Sequence, residues 1–218
     1  MTIKFGPAGL GPIKTAEKVL EGYHKMGLRA CEIAFTYGPY IKSKEDAIRI
    51  GSKARGLGIR LSIHAPYYVN LNSAEKSKRE ASKKRILDCC EIGEVLGAEI
   101  VVFHPGYYGE DREDSYHNIK EGVMDIMQEI KKKGWKIKIG AETMGKINVF
   151  GSVEEIAHLV KDTKCSFCLD FAHILAREKR IDMRKIKKLF PQNHWHCHFS
   201  GIEYGEKGEK HHKKTEVL

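Results

Sequence analysis

The chain alternates short apolar runs with longer segments in which apolar residues recur at helical spacing. The short runs are TIKFG, ACEIAF, IRLSIHA, AEIVVFH, KIKIGAE, CSFCLDF and NHWHCHF. Helices are predicted near residues 14–26, 44–57, 73–96, 114–133 and 183–190. Another begins after Ser152, whose hydroxyl and Glu155 match a capping box. Strands and helices alternating at this length predict a parallel sheet wound by right-handed crossovers.

The fold predicted from this pattern is an α/β barrel of the TIM (β/α)8 type that lacks its eighth strand. A closed barrel of this type has eight strand–helix units, whereas the pattern supplies seven strands. Residues 200–218 are polar and are predicted to form a loop-like tail. We expect residues 1–218 to be one TIM-barrel domain that is truncated at its C-terminus, because an open barrel leaves strand edges unpaired. A naturally open sheet is the alternative.

Imidazole and carboxylate side chains follow the predicted strands. In a parallel barrel the C-terminal strand ends meet at one rim, however distant they are in sequence. Imidazole and carboxylate groups are ligands for zinc, manganese and iron. The sequence therefore predicts a site for several metal ions. The candidate ligands are His64, His104, Glu142, Asp170, His173, His198 and, in the polar tail, His211.

Composition narrows the class of protein without deciding its activity. The formal net charge is +9, which suits a polyanionic substrate such as nucleic acid and equally suits the lysine-rich surface of a heat-adapted protein. The six cysteines do not form a secretory disulfide pattern, and Cys165 and Cys168 would face opposite ways on a strand. The N-terminus lacks a signal-peptide pattern and no apolar run reaches membrane length, so we expect a cytoplasmic protein.

As an ordered set, several segments resemble the endonuclease IV-type apurinic/apyrimidinic endonucleases. These segments are SIHAPYYVNL, VVFHPGYY, GAETMG, CLDFAHILA, HCHFSG and GEKGEKHH, and the resemblance covers nearly the whole chain. It implies a TIM barrel that cleaves double-stranded DNA on the 5′ side of abasic sites and leaves a 3′-hydroxyl and a 5′-deoxyribose phosphate. It also implies three zinc ions, although manganese or iron accepts the same ligands.

By position, the resemblance implies three groups of metal ligands. They are His64, His104 and Glu142 for the first ion, Glu142, Asp170 and His198 for the second, and His173, Glu209 and His211 for the third. The chain departs from the family pattern twice. Glu209 stands where the family has aspartate, and the glutamate that the family takes from its eighth strand has no counterpart here.

The same resemblance suggests a mechanism and a mode of DNA recognition. Glu142 would bridge two metal ions and orient a hydroxide that attacks phosphorus, since metal coordination makes water a nucleophile at neutral pH. The loops FTYGPYIK and APYYVNLN are rich in aromatic residues. Tyr67 and Tyr37 in these loops are the candidates for contacting DNA at the abasic gap, although such tyrosines also commonly pack a barrel rim. We expect the enzyme to act as a monomer.

Two other functions remain open at this point. A sugar isomerase or epimerase of the xylose-isomerase-like barrel type would need only Glu142, Asp170 and His198 around a single divalent ion. That function gives the remaining histidines no ligand role. A protein that binds abasic DNA without cutting it is the second alternative, because the eighth-strand glutamate has no counterpart.

Overall fold

The structure is a computed structural model that describes residues 3–214. The described residues form two compact units. The first takes in the described residues within Met1–Tyr67, Lys84–Phe103 and Ile126–Ile139, and the second those within Tyr68–Lys83, His104–Asp125 and Gly140–Leu218.

The described chain contains seven α-helices and eight strands. The helices are α1 Ala16–Lys25, α2 Lys44–Gly56, α3 Lys76–Leu96, α4 Arg112–Lys132, α5 Val153–Thr163, α6 Phe171–Glu178 and α7 Met183–Leu189. The strands are β1 Ala30–Ala34, β2 Arg60–His64, β3 Ile100–Phe103, β4 Lys138–Glu142, β5 Ser166–Asp170, β6 His196–His198, β7 Gly201–Gly205 and β8 Gly208–Lys213.

Strands β1 to β6 are parallel and follow one another in chain order. At least one helix separates each of these strands from the next, so the chain is built from consecutive βαβ units. This confirms the predicted α/β fold class, an incomplete TIM barrel. Among residues 3–214 there are six parallel strands, where the closed barrel has eight.

The first unit has its core where β1, β2 and the helices around them bury branched aliphatic side chains. Strands β1 and β2 are in register from Ala30 opposite Arg60 to Ala34 opposite His64. Ile33 and Ile63, which are register partners, are fully buried. Burying one such side chain stabilises the fold by about 1.5–3 kcal/mol.

The second unit aligns the ends of its parallel strands. Glu142 on β4 is the register partner of Cys168 on β5, and Asp170 is the partner of His198 on β6. The polar residues at these strand ends therefore lie at neighbouring positions of one sheet edge. Helix α5 begins as predicted, because Ser152 and Glu155 form both hydrogen bonds of the capping box.

The prediction of a first strand at TIKFG is wrong for residues 3–6. Thr2 lies outside the described residues. Residues 3–7 form no strand, although the carbonyl oxygen of Phe5 accepts hydrogen bonds from the backbone N–H groups of Arg29 and Ala30. The backbone at Gly6 runs so close to β1 that a Cβ atom there would lie 1.7 Å from the carbonyl oxygen of Ala30. Pro7, which follows, has no N–H to donate to a strand ladder.

The polar tail also differs from the prediction over its described residues 200–214, and residues 215–218 lie outside the described part. Instead of a loop, β7 and β8 form an antiparallel hairpin. A helix that was not predicted, α6, follows β5 directly, with Asp170 as its N-cap. In the described part of the chain, no helix combines the length and the apolar character needed to cross a membrane.

Candidate metal centre

Glu142 lies at the middle of a cluster of polar side chains in the second unit. It is the last residue of β4 and is 1% exposed. Its Oε2 lies 3.0 Å from Nε2 of His104, which follows β3, and its Oε1 lies 2.8 Å from Nδ1 of His198 on β6. One buried carboxylate thus faces an imidazole with each of its two oxygens.

Asp170 adds a second buried carboxylate to the same cluster. Its Oδ2 lies 3.8 Å from Nδ1 of His198 and 3.8 Å from Nδ1 of His173. Burial raises the pKa of Asp170 above its ordinary value; the neighbouring His173 opposes this shift and the charge of Glu142 adds to it. Two carboxylates in one buried site disfavour each other's ionisation unless positive charge is supplied.

His173 is held with one ring nitrogen directed into the cluster. The residue is buried in the first turn of α6, and its Nδ1 lies 2.8 Å from the carbonyl oxygen of Thr143. A carbonyl only accepts hydrogen bonds, so Nδ1 carries the proton and Nε2 keeps its lone pair in the neutral ring. Backbone carbonyls orient many metal-binding histidines in this way.

The hairpin brings further ligand atoms to His173. The Nε2 of His173 lies 3.5 Å from Oε2 of Glu209 and 3.0 Å from Nε2 of His212. The hairpin is fixed at Gly145, whose carbonyl oxygen accepts a 3.1 Å hydrogen bond from the backbone N–H of Glu209. A Cβ atom at Gly145 would lie 2.8 Å from Cβ of Glu209, so this close approach requires glycine.

The predicted ligand His211 has a different position. It lies on the strand opposite Glu203, with its Nε2 3.6 Å from Oε2 of that residue. Its side chain is 60% exposed. The structure therefore places His212, which the sequence prediction did not include, beside His173.

Three predicted residues belong to the first unit. His64 ends β2, and its Nδ1 lies 2.8 Å from the carbonyl oxygen of Ala65, so its Nε2 also keeps a lone pair. Tyr37 and Tyr67 are 80% and 52% exposed, and their rings meet edge to face with centroids 6.1 Å apart. The two tyrosines form one exposed aromatic pair.

A further set of potential ligands lies next to the predicted ones. Cys168, His196 and His198 have ligand atoms within 4.8 Å of one another. The sequence signals for this set are the alternation HWHCH and the pattern CSFC, which lie on two different strands. Cys168 meets histidines of the neighbouring strand rather than Cys165, because it is the register partner of His196.

The residues present fit a divalent metal ion. Imidazole nitrogens and carboxylate oxygens are the ligands that zinc takes in catalytic sites. The side-chain ligand atoms of Asp170, His173 and His212 lie within 4.8 Å of one another. A divalent cation would also compensate the two buried carboxylates of Glu142 and Asp170.

Comparison with known proteins places the chain among barrels of one type. The family model described as "Xylose isomerase-like TIM barrel" matches residues 20–215. The uncharacterized protein MJ0133 of Methanocaldococcus jannaschii is 34% identical over 223 residues, which cover 95% of this chain and 80% of that protein. Endonuclease 4 of Thermus thermophilus is 34% identical over 132 residues, which cover 60% of this chain and 46% of that protein.

Solved structures of an endonuclease and of an epimerase both share the fold of this chain. Endonuclease IV from Thermus thermophilus superposes with a TM-score of 0.65 at 24% identity, covering 85% of this chain and 71% of that one. D-psicose 3-epimerase from Clostridium cellulolyticum superposes with a TM-score of 0.70 at 18% identity, covering 85% of this chain and 67% of that one. The match to the curated endonuclease spans about half of that protein's length.

Proposed function

The chain belongs to the xylose isomerase-like TIM barrel family, and on that premise we propose that it is a metal-dependent endonuclease that hydrolyses DNA on the 5′ side of abasic sites. The products would be a 3′-hydroxyl and a 5′-deoxyribose phosphate. The similarity to endonuclease 4 of Thermus thermophilus supports this choice within the family.

The observation that carries the proposal is the extension of the cluster beyond Glu142, Asp170 and His198. His173 connects Glu142 with His212 of the hairpin. Its Nδ1 lies 3.8 Å from Oε1 of Glu142, and its Nε2 lies 3.0 Å from Nε2 of His212. A single metal ion takes fewer ligands than this cluster supplies. A site for several ions suits phosphodiester hydrolysis, in which both the attacking and the leaving oxygen need positive charge.

The residues of such a site are proposed to have different roles. The proposed metal ligands of the second unit are His104, Glu142, Asp170, His173, His198 and Glu209. In the first unit, His64 is proposed separately as a ligand. Zinc bound there would supply positive charge and lower the pKa of bound water to about 7. Glu142 faces imidazoles with both carboxylate oxygens, so it is the proposed bridging and orienting residue. The carbonyl oxygens of Thr143 and Ala65 hold His173 and His64 in the tautomer that leaves Nε2 available.

Double-stranded DNA with an abasic site is the proposed partner. The formal net charge of +9 favours a polyanion, and DNA binding should therefore weaken steeply with salt. The exposed pair Tyr37 and Tyr67 offers aromatic surface for the gap that the missing base leaves. An abasic nucleotide costs less to extrude than a paired base, which adds selectivity.

The test is cleavage of a duplex that carries one tetrahydrofuran abasic analogue, before and after prolonged chelation. The analogue blocks β-elimination, so a lyase cannot produce the same result. One metal-dependent cut 5′ to the lesion, leaving a 3′-hydroxyl, is expected. An uncut duplex in the presence of zinc, manganese or iron would refute the proposed activity, and a gel shift without cleavage would indicate a lesion-binding protein.

A sugar isomerase or epimerase is the second candidate, favoured by the grouping of Glu142, Asp170 and His198. Those three residues alone could hold one divalent ion that polarises a hydroxycarbonyl sugar. Incubation with ketohexoses and manganese, followed by chromatography of the sugars, separates the two functions. Epimerised sugar together with uncut abasic DNA would favour this candidate.

A further inference from the structure

Strand β8 contains a β-bulge that changes which histidine faces His173. Tyr204 on β7 is the register partner of Glu209, whereas the preceding residue, Glu203, is the partner of His211. Lys210 is therefore the extra residue of the bulge. Side chains alternate between the two faces of a regular strand, and one extra residue reverses that alternation. Beyond the bulge, Glu209 shares its face with His212 rather than with His211.

The distances agree with this reversal. The Nε2 of His212 lies 3.0 Å from Nε2 of His173 and 3.8 Å from Oε1 of Glu209. On the other face, Oε2 of Glu203 lies 3.6 Å from Nε2 of His211 and 2.8 Å from Nζ of Lys213. His211 thus belongs to a surface ion-pair group on the opposite side of the hairpin.

The Nε2 atoms of the His173 and His212 imidazoles face each other, and each ring is held through its Nδ1 atom. Nδ1 of His173 must donate to the carbonyl oxygen of Thr143, as described above. Nδ1 of His212 lies 2.7 Å from the hydroxyl oxygen of Ser200, which can accept its proton. The two Nε2 atoms lie 3.0 Å apart. Two nitrogens bound to one tetrahedral zinc are about 3.3 Å apart, so this spacing is close to the one that a shared ion requires.

We propose that His212, together with His173 and Glu209, binds one of the divalent metal ions of the centre, and that His211 does not. The inference rests on the metal centre proposed above. It reassigns one ligand by one position along β8, because the bulge at Lys210 offsets the spacing that a regular strand would give. Ser200 orients His212 in this arrangement.

The experiment is the metal content of the folded, full-length protein, measured for zinc, manganese and iron after equilibration with buffered zinc and gel filtration. H212N is expected to lose about one metal ion per chain, the share of one site. H211N is the matched control, because the adjacent histidine has the same chemistry on the opposite face, and it is expected to keep the wild-type content. Circular dichroism establishes that both variants are folded.

A third variant tests the role of the bulge directly. Deleting Lys210 leaves Glu209 and His212 two residues apart, so that a regular strand keeps both on one face. Full metal content in this variant is therefore expected. If His211 were the ligand, the deletion would turn it away from Glu209 and the ion would be lost.

Three results would overturn the inference: loss of metal in H211N with retention in H212N, retention in both, or a wild-type protein that binds no metal. Its failure is distinguishable from failure of the proposed function. A wild-type protein that leaves abasic DNA uncut, combined with the expected metal loss in H212N, would refute the endonuclease and support the ligand assignment.

Discussion

The carboxylate of Asp170 accepts a 2.8 Å hydrogen bond from the backbone N–H of His173. One side chain thereby caps helix α6 and, through its other oxygen, lies 3.8 Å from the imidazoles of His173 and His198. The DxxH spacing is the spacing of a helix N-cap and its third residue. The same local interaction that starts the helix therefore positions two candidate metal ligands.

Substitution of Asp170 should separate its structural role from its charge. Asparagine retains a capping oxygen, whereas alanine does not. In chelator, the D170A variant should have a free energy of unfolding about 1 kcal/mol below that of D170N, as measured by urea denaturation. Both variants should bind less metal than the wild type, since neither has the carboxylate. Equal stability of the two variants would show that the cap contributes nothing.

The positions of most candidate ligands could be predicted because they depend on strand ends alone. Short apolar runs predicted β1 to β6, and apolar residues at helical spacing predicted most of the helices between them. Residues that end parallel strands meet at one edge whatever the intervening sequence, and Glu142, Asp170 and His198 do so. The capping box at Ser152 could also be predicted, because Ser152 and Glu155 are only three residues apart in the sequence.

What could not be predicted depends on tertiary contact or on small irregularities. The hairpin of β7 and β8 is polar and has no apolar alternation, so its pairing had no sequence signal. Its position depends on the close approach of Gly145 to Glu209. The bulge at Lys210 is a one-residue register shift, and such a shift exchanges the faces of His211 and His212. Gly6, likewise, contacts β1 without forming a strand.

Glu142 offers the sharpest test of the proposed chemistry. Glutamine has nearly the same shape, so E142Q should fold, but it removes the buried charge that faces His104 and His198. Cleavage of abasic DNA is expected to fall about 1,000-fold, equivalent to about 4 kcal/mol of activation free energy. The control is E203Q, which changes a carboxylate on the far face of the hairpin and should cleave normally. Wild-type activity in E142Q would remove Glu142 from the catalytic site.

Tyr67 is the proposed contact to the abasic gap. Y67A should weaken binding of the abasic duplex about tenfold, in line with the loss of one aromatic stacking contact. Metal content should stay unchanged, because Tyr67 is not among the proposed ligands. Y67F keeps the ring and is the matched control, with binding close to wild type. Fluorescence anisotropy at fixed salt measures all three proteins, and equal affinity for Y67A would show that the ring packs only against Tyr37.

Glu155 should make the stability of the second unit depend on pH. Burial raises the pKa of Glu155, but hydrogen bonds from the Tyr108 hydroxyl and from the backbone N–H groups of Ser152 and Gly151 outweigh it, so the pKa lies below the ordinary value of 4.5. A carboxyl group with a lowered pKa in the folded state binds fewer protons there than in the unfolded chain. Its stabilising contribution is therefore complete above pH 4.5 and is lost as the pH falls through the lowered pKa.

Removal of the Tyr108 hydroxyl tests this linkage. Y108F deletes the 2.5 Å hydrogen bond to Glu155, and at pH 7 it should lower the free energy of unfolding by about 1.5 kcal/mol, a usual value for a bond to a charged group. The loss should shrink in acid, as the pH falls through the lowered pKa and Glu155 becomes protonated in the folded state as well. In an E155Q background, Y108F should cost less and show no such pH dependence, since the carboxylate is absent. Urea denaturation at about pH 7 and about pH 3.5, on either side of the ordinary carboxyl pKa, gives all four values. A cost of Y108F that is the same at both pH values would contradict the assigned lowering of the Glu155 pKa.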